Sequence, residues 1–108
     1  MFQPSLAYPF GIPQQSTDSA DNDDAVVELT ATAGRQHVIS EISWSYDNAP
    51  TGGKLTIAYG TTTLAWWIIA GGPGRLPLNV VAAANQAVTI TLAAGGTSVK
   101  STLVVEHN

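Results

Sequence analysis

His37-Val-Ile-Ser-Glu-Ile-Ser-Trp-Ser-Tyr-Asp47 alternates apolar and polar residues, and that period of two decides the fold. Successive side chains of an extended chain point to opposite sides. Val38, Ile42, Trp44 and Tyr46 therefore share one side, and His37, Ile39, Glu41, Ser43 and Ser45 share the other. The stretch predicts a strand with one face in a core and one in solvent.

The same period recurs outward in both directions. Upstream, Val27, Leu29 and Ala31 alternate with Val26, Glu28 and Thr30. Downstream, Leu55, Ile57 and Tyr59 align, as do Leu76, Leu78 and Val80. Val88, Ile90 and Leu92 form another set, and Val99, Leu103 and Val105 alternate with Lys100, Thr102 and Glu106. Between these runs lie Ala33-Gly-Arg35, Asn48-Ala-Pro-Thr-Gly-Gly53, Gly60-Thr61, Gly71-Gly-Pro-Gly74, Asn85-Gln86 and Gly95-Gly96, all turn-forming. Helical periodicity is absent. The expectation is an all-β fold: a small antiparallel β-sandwich of seven strands, jelly-roll or Ig-like, over residues 25–108. Pro77 lacks a donor, which sends its strand to an edge or a bulge.

Thr62–Ala70 breaks the alternation. Leu64, Trp66 and Ile68 are apolar, and so are Ala65, Trp67 and Ile69. A strand apolar on both sides is central to two layers or covered by a partner. In a body this small the reading favours a partner, with Trp67 and Ile69 as its contact.

Residues 1–24 have a different character, read as an extended N-terminal arm and acidic hinge. Pro4, Pro9 and Pro13 block helix, while Phe2, Leu6, Tyr8, Phe10 and Ile12 supply more apolar surface than a solvated linker carries. An arm docked on a neighbouring subunit fits that composition. The following Ser16–Asp24 is polar and acidic, as a hinge is.

Charge supports assembly. The chain is 44% hydrophobic and only 11% charged, against about a quarter charged in ordinary domains. Interface cores are depleted in charge. Of the eight acids, Asp18, Asp21, Asp23 and Asp24 lie together, and the remaining Glu28, Glu41, Asp47 and Glu106 balance Arg35, Lys54, Arg75 and Lys100. These dispersed bases do not form the cluster that phosphate binding requires, so no nucleic-acid partner is expected. Without cysteine there are no disulfides or thiol chemistry. The start of the chain does not read as a signal peptide, and the apolar run 64–70 is far shorter than the ~20 residues of a spanning helix. Synthesis in the cytosol and no membrane partner are the expectations.

Catalytic chemistry has little to draw on. His37 is expected as a polar strand residue and His107 as a terminal polar one, and no nucleophile elbow or zinc spacing occurs. No catalytic residue, cofactor or metal site is assigned. The Asp18–Asp24 cluster has calcium-type ligands without the order of an EF-hand, and a solvated hinge explains it equally well. The rival to assembly is sugar binding. Trp66 and Trp67 point to opposite sides of a regular strand, leaving one for a core and one for a sugar ring or a protein partner.

At HVISEISWSYDNAPTGGKLTI, GGPGRLPL and VTITLAAGG the chain resembles small proteins encoded among the structural genes of tailed bacteriophages and prophages. The shared pieces are turns and core strands across about residues 25–106. The resemblance implies a virion component, most plausibly a capsid decoration (cement) protein that stabilises the head. Its partners would be the major capsid protein or another virion protein, and sister copies, with a trimer favoured. A tail or fibre module and a carbohydrate-binding sandwich are the alternatives. The Pro-rich N-terminus departs from the resemblance, so the arm's role rests on its composition.

Overall fold

The structure is a computed structural model. It describes residues 14–31, 33–34, 36–48, 50, 53–59, 62–68, 73–82 and 86–108, with 65–68 described by backbone alone. The strands are β1 (Gln14–Asp21), β2 (Ala25–Leu29), β3 (Val38–Tyr46), β4 (Lys54–Tyr59), β5 (Thr62–Ile68), β6 (Gly74–Val81), β7 (Val88–Leu92) and β8 (Lys100–His107). They form two four-stranded sheets, ordered β1-β8-β3-β6 and β2-β7-β4-β5. All recorded pairings are antiparallel.

The order has a simple logic. β1 pairs with β8, β2 with β7, β3 with β6 and β4 with β5. That is one long antiparallel ribbon, with the β4–β5 hairpin at its tip, wrapped so that alternate portions enter opposite sheets. The result is a jelly roll, which settles the wiring that the strand pattern leaves open.

The inner rows are those expected from the alternation. Ala25, Val27 and Leu29 face Leu55, Ile57, Val88, Ile90 and Leu92 within one sheet, and Ile42, Leu103 and Val105 supply the other. Fully burying such side chains stabilises by about 1.5–3 kcal/mol each. Leu76, Leu78 and Val80 are partly buried against this core from β6, which is an edge strand as Pro77 demands.

Two departures from the sequence pattern have local causes. In β3 the register shifts between Ile39 and Glu41, so Ser40 is an extra residue opposite β8. This bulge reverses the parity on one side of it. Ile39 is consequently fully buried rather than outward, while Val38 pairs with the exposed Val81. The Ser40 hydroxyl donates to the Glu106 carbonyl at 3.1 Å, an attachment for the extra residue.

The second departure is β1. Gln14–Asp21, expected as part of an arm and acidic hinge, is a strand paired with β8 along its whole length. Among the described residues the sandwich thus has eight strands rather than seven, and the polar turn is confined to Asn22–Asp24. The sequence Gln-Gln-Ser-Thr-Asp-Ser-Ala-Asp has no apolar alternation to announce a strand. It belongs to the sheet through backbone pairing and side-chain hydrogen bonds. The apolar arm residues expected at Phe2, Leu6, Tyr8, Phe10 and Ile12 lie outside the described residues.

Candidate functional site

The acidic cluster resolves into structural contacts. Asp18 Oδ2 accepts from the Val26 amide at 2.8 Å, and Asp24 Oδ1 from the Ala94 amide at 2.8 Å. Asp23 Oδ1 accepts from the Asp24 amide, and the buried Ser101 hydroxyl lies within 3.1 Å of the Asp23 carbonyl and 3.3 Å of that of Ala20. These contacts join the β1–β2 turn to β8 and to the chain after β7. Among the described residues no group of three or more His, Asp or Glu side chains is arranged to hold a metal ion.

Tyr46 ends β3 with a similar tie. Its hydroxyl donates to the Ala93 carbonyl at 2.9 Å, and burial, followed by the charge of Asp24, raises its pKa above 10.0. Gly95 packs against the same ring, where an added Cβ would crowd Tyr46 and Val99. The ends of the roll are closed by specific contacts as well as by turns.

His107 is not a terminal polar residue. It is 6% exposed, faces inward from β8, and its Nε2 lies 2.9 Å from Ser16 Oγ on β1. Burial lowers its pKa from 6.5, and the nearby His37 lowers it further. His37 Nε2 donates to the Thr30 carbonyl at 2.7 Å. A serine beside a neutral imidazole is two parts of a nucleophilic site. Among the described residues no carboxylate is bonded to the other His107 nitrogen, and the pair does not amount to a catalytic constellation.

The outer face of the β1-β8-β3-β6 sheet has a clear pattern. Across the strands its rows run Gln15–Glu106–Glu41–Pro77, then Thr17–Val104–Ser43–Arg75, then Ser19–Thr102–Ser45, then Asp21–Lys100. Asp47 joins the last row, its amide donating to the Lys100 carbonyl at 3.0 Å and its Oδ1 accepting from the Lys100 amide at 2.7 Å. Arg75 reaches back to the first row, its Nε 2.7 Å from Glu41 Oε1, which raises the guanidinium pKa. Across β1, β8 and β3 the centre made by Thr17, Ser19, Ser43, Ser45, Thr102 and Val104 carries no charge, and Arg75 flanks it on β6. Its side chains are small hydroxyls and one valine, with Glu41 and Glu106 at one end and Asp21, Lys100 and Asp47 at the other. Sequence alternation marks these positions as outward; only the register of β1 against β8 brings Thr17 and Ser19 beside them.

Of the residues expected to meet a partner, Phe2, Leu6, Tyr8, Phe10, Ile12 and Ile69 lie outside the described residues. Trp67 stands in β5, an edge strand, paired with Leu55, while Trp66 pairs with Thr56. The side chains at 65–68 are outside the described set.

No known protein family matches the sequence, and no curated protein does. Among solved structures the chain is similar to the crystal structure of FLHE, at 16% identity over 88% of this chain and 96% of that one, with a TM-score of 0.43. It is also similar to the carbohydrate-binding module CBM36 in complex with calcium and xylotriose, at 14% identity over 91% and 89% of the two chains, TM-score 0.48. A third is the CBM36-1 domain of a multidomain xylanase from the hindgut metagenome of Trinervitermes trinervoides, at 15% identity over 82% and 74%, TM-score 0.44.

Proposed function

We propose that the protein is a non-catalytic assembly module, and within that class a capsid decoration protein that docks on a virion shell. The observation that carries this reading is the uncharged centre of the outer face across β1, β8 and β3, rimmed by Arg75 on β6 and by charges at both ends. An uncharged centre inside a polar rim is the anatomy of a protein interface. The major capsid protein is the favoured partner, with sister copies of the chain completing a trimer.

Size explains why the arm belongs to the same reading. Four strands ~4.8 Å apart and eight residues long at ~3.4 Å each offer on the order of 500 Å² of face. A stable interface buries about 800 Å² per partner. In this reading the apolar residues of segment 1–13 supply the shortfall. Face and arm together provide an adequate footprint; the face alone does not.

Co-sedimentation with empty shells of the phage that encodes the chain tests this. Removal of residues 1–13 and, separately, Ser43→Lys with Thr102→Lys are each expected to weaken binding at least tenfold. Undiminished binding in both variants ends the proposal.

A second reading has one observation in its favour. The register places position 66 at the end of a row on the other sheet, beside Thr56, with Thr91 and Val26 on the strands beyond. That composition suits a sugar-binding platform. Glycan-array binding that is lost in Trp66→Ala would support it, and an empty array removes it.

A further inference from the structure

β1 is held differently from the other strands. Among the described residues it alone gives no side chain to the apolar core or to the half-buried shell around it. Its inward row is Gln14, Ser16, Asp18 and Ala20, and beyond the ladder with β8 it is tied by polar contacts. These are Ser16 to His107 at 2.9 Å, Asp18 to the Val26 amide, Ser19 Oγ to Thr102 Oγ1 at 3.3 Å and Ser101 to the Ala20 carbonyl. Regions with few buried apolar contacts open first. Gln14, at the start of the strand, pairs directly with His107.

We infer that β1 is an acid-released latch: a proton on His107 weakens the body's hold on this strand and frees it. Ser16 has no aromatic or aliphatic bulk, so when β1 lifts, water reaches the imidazole that the strand had covered. A charged His107 gains that hydration only in the open form. The Ser16 contact does not itself oppose protonation, because a charged Nε2–H donates to the hydroxyl as well as a neutral one. The driving force is burial of the charge.

The surroundings reinforce the direction. On the elements packed against His107 the titratable groups are His37 ahead of β3, Tyr46 at its end, Asp18 on β1, Glu28 on β2 and, on the sheet's other face, Asp21, Glu41, Lys100 and Glu106. Of these His37 is the one whose charge acts on His107, and it opposes a second positive charge. Both causes lower the folded-state pKa below 6.5. The open or unfolded chain therefore binds the proton more readily. Stability from the neutral form is fully present above pH 6.5 and is lost as the pH falls from there through the lowered value. The latch operates whatever the outer face or the arm binds.

Amide exchange measured by two-dimensional NMR at pH 7 and pH 5, each corrected for its intrinsic rate, tests the latch. Protection of residues 15–21 should fall several-fold relative to that of Val88–Leu92 on acidification. The ratio should stay flat in His107→Gln and in a Ser19→Cys, Thr102→Cys variant oxidised to link β1 to β8. An unchanged ratio in the natural protein, or the same fall in His107→Gln, overturns the inference. Should His107→Gln fail to fold, His37→Gln provides the comparison: a smaller fall is expected, and an undiminished one overturns the latch.

Discussion

Gly74 and Trp44 face each other across β6 and β3, and a Cβ at Gly74 would overlap the indole ring. The glycine is there for space. Gly74→Ala forces Trp44 out of its seat and is expected to destabilise by about 1–3 kcal/mol, read by denaturant unfolding. Ser101 presents the opposite problem, since its buried hydroxyl serves the Ala20 and Asp23 carbonyls. Ser101→Ala leaves them short of a donor and should cost about 1–2 kcal/mol. Glu41 and Glu106 stand directly opposite, and Arg75 bonds to Glu41. Like charges in opposed positions are unfavourable. Glu106→Gln should therefore raise the melting temperature slightly, and added salt should shrink the difference. An equal or larger difference in high salt would contradict this electrostatic account.

At the scale of elements, legibility followed apolar alternation. β2, β4, β7 and β8 were readable because one row of each is Val, Ile or Leu and is buried. β3 was readable as a strand but not in detail, because a bulge at Ser40 has no signature in residue type and moves Ile39 into the core. β1 reads as the end of an arm and an acidic hinge because Gln14, Ser16 and Asp18 on its inward row are polar; the contacts that hold it come from His107, Val26 and Ser101. For the same reason the outer face is not legible in the sequence, since Thr17 and Ser19 join it only when β1 lies beside β8. Asp18 also has a role at this scale. It occupies the Val26 amide on β2, an edge strand, and so blunts a site where another chain's strand would pair. Asp18→Ala is expected to lower stability by about 1 kcal/mol. It should also promote concentration-dependent association by sedimentation velocity; a variant as monodisperse as the parent would remove the edge-guarding role.

For the molecule as a whole, the ribbon order sets the sequence distance of every pairing. Only β4 and β5 meet through a short connection, while Gln14 waits for His107. Closing such distant contacts is entropically costly and makes folding slow. The β4–β5 hairpin is the natural nucleus, with β3–β6, β2–β7 and β1–β8 zipping up behind it. On a ribosome adding ~5–20 residues per second, β1 emerges first and waits roughly 4–17 seconds for β8 to be made. Through that interval the strand has no partner in its own chain, and its hydrophilic sequence is what keeps it from finding one elsewhere.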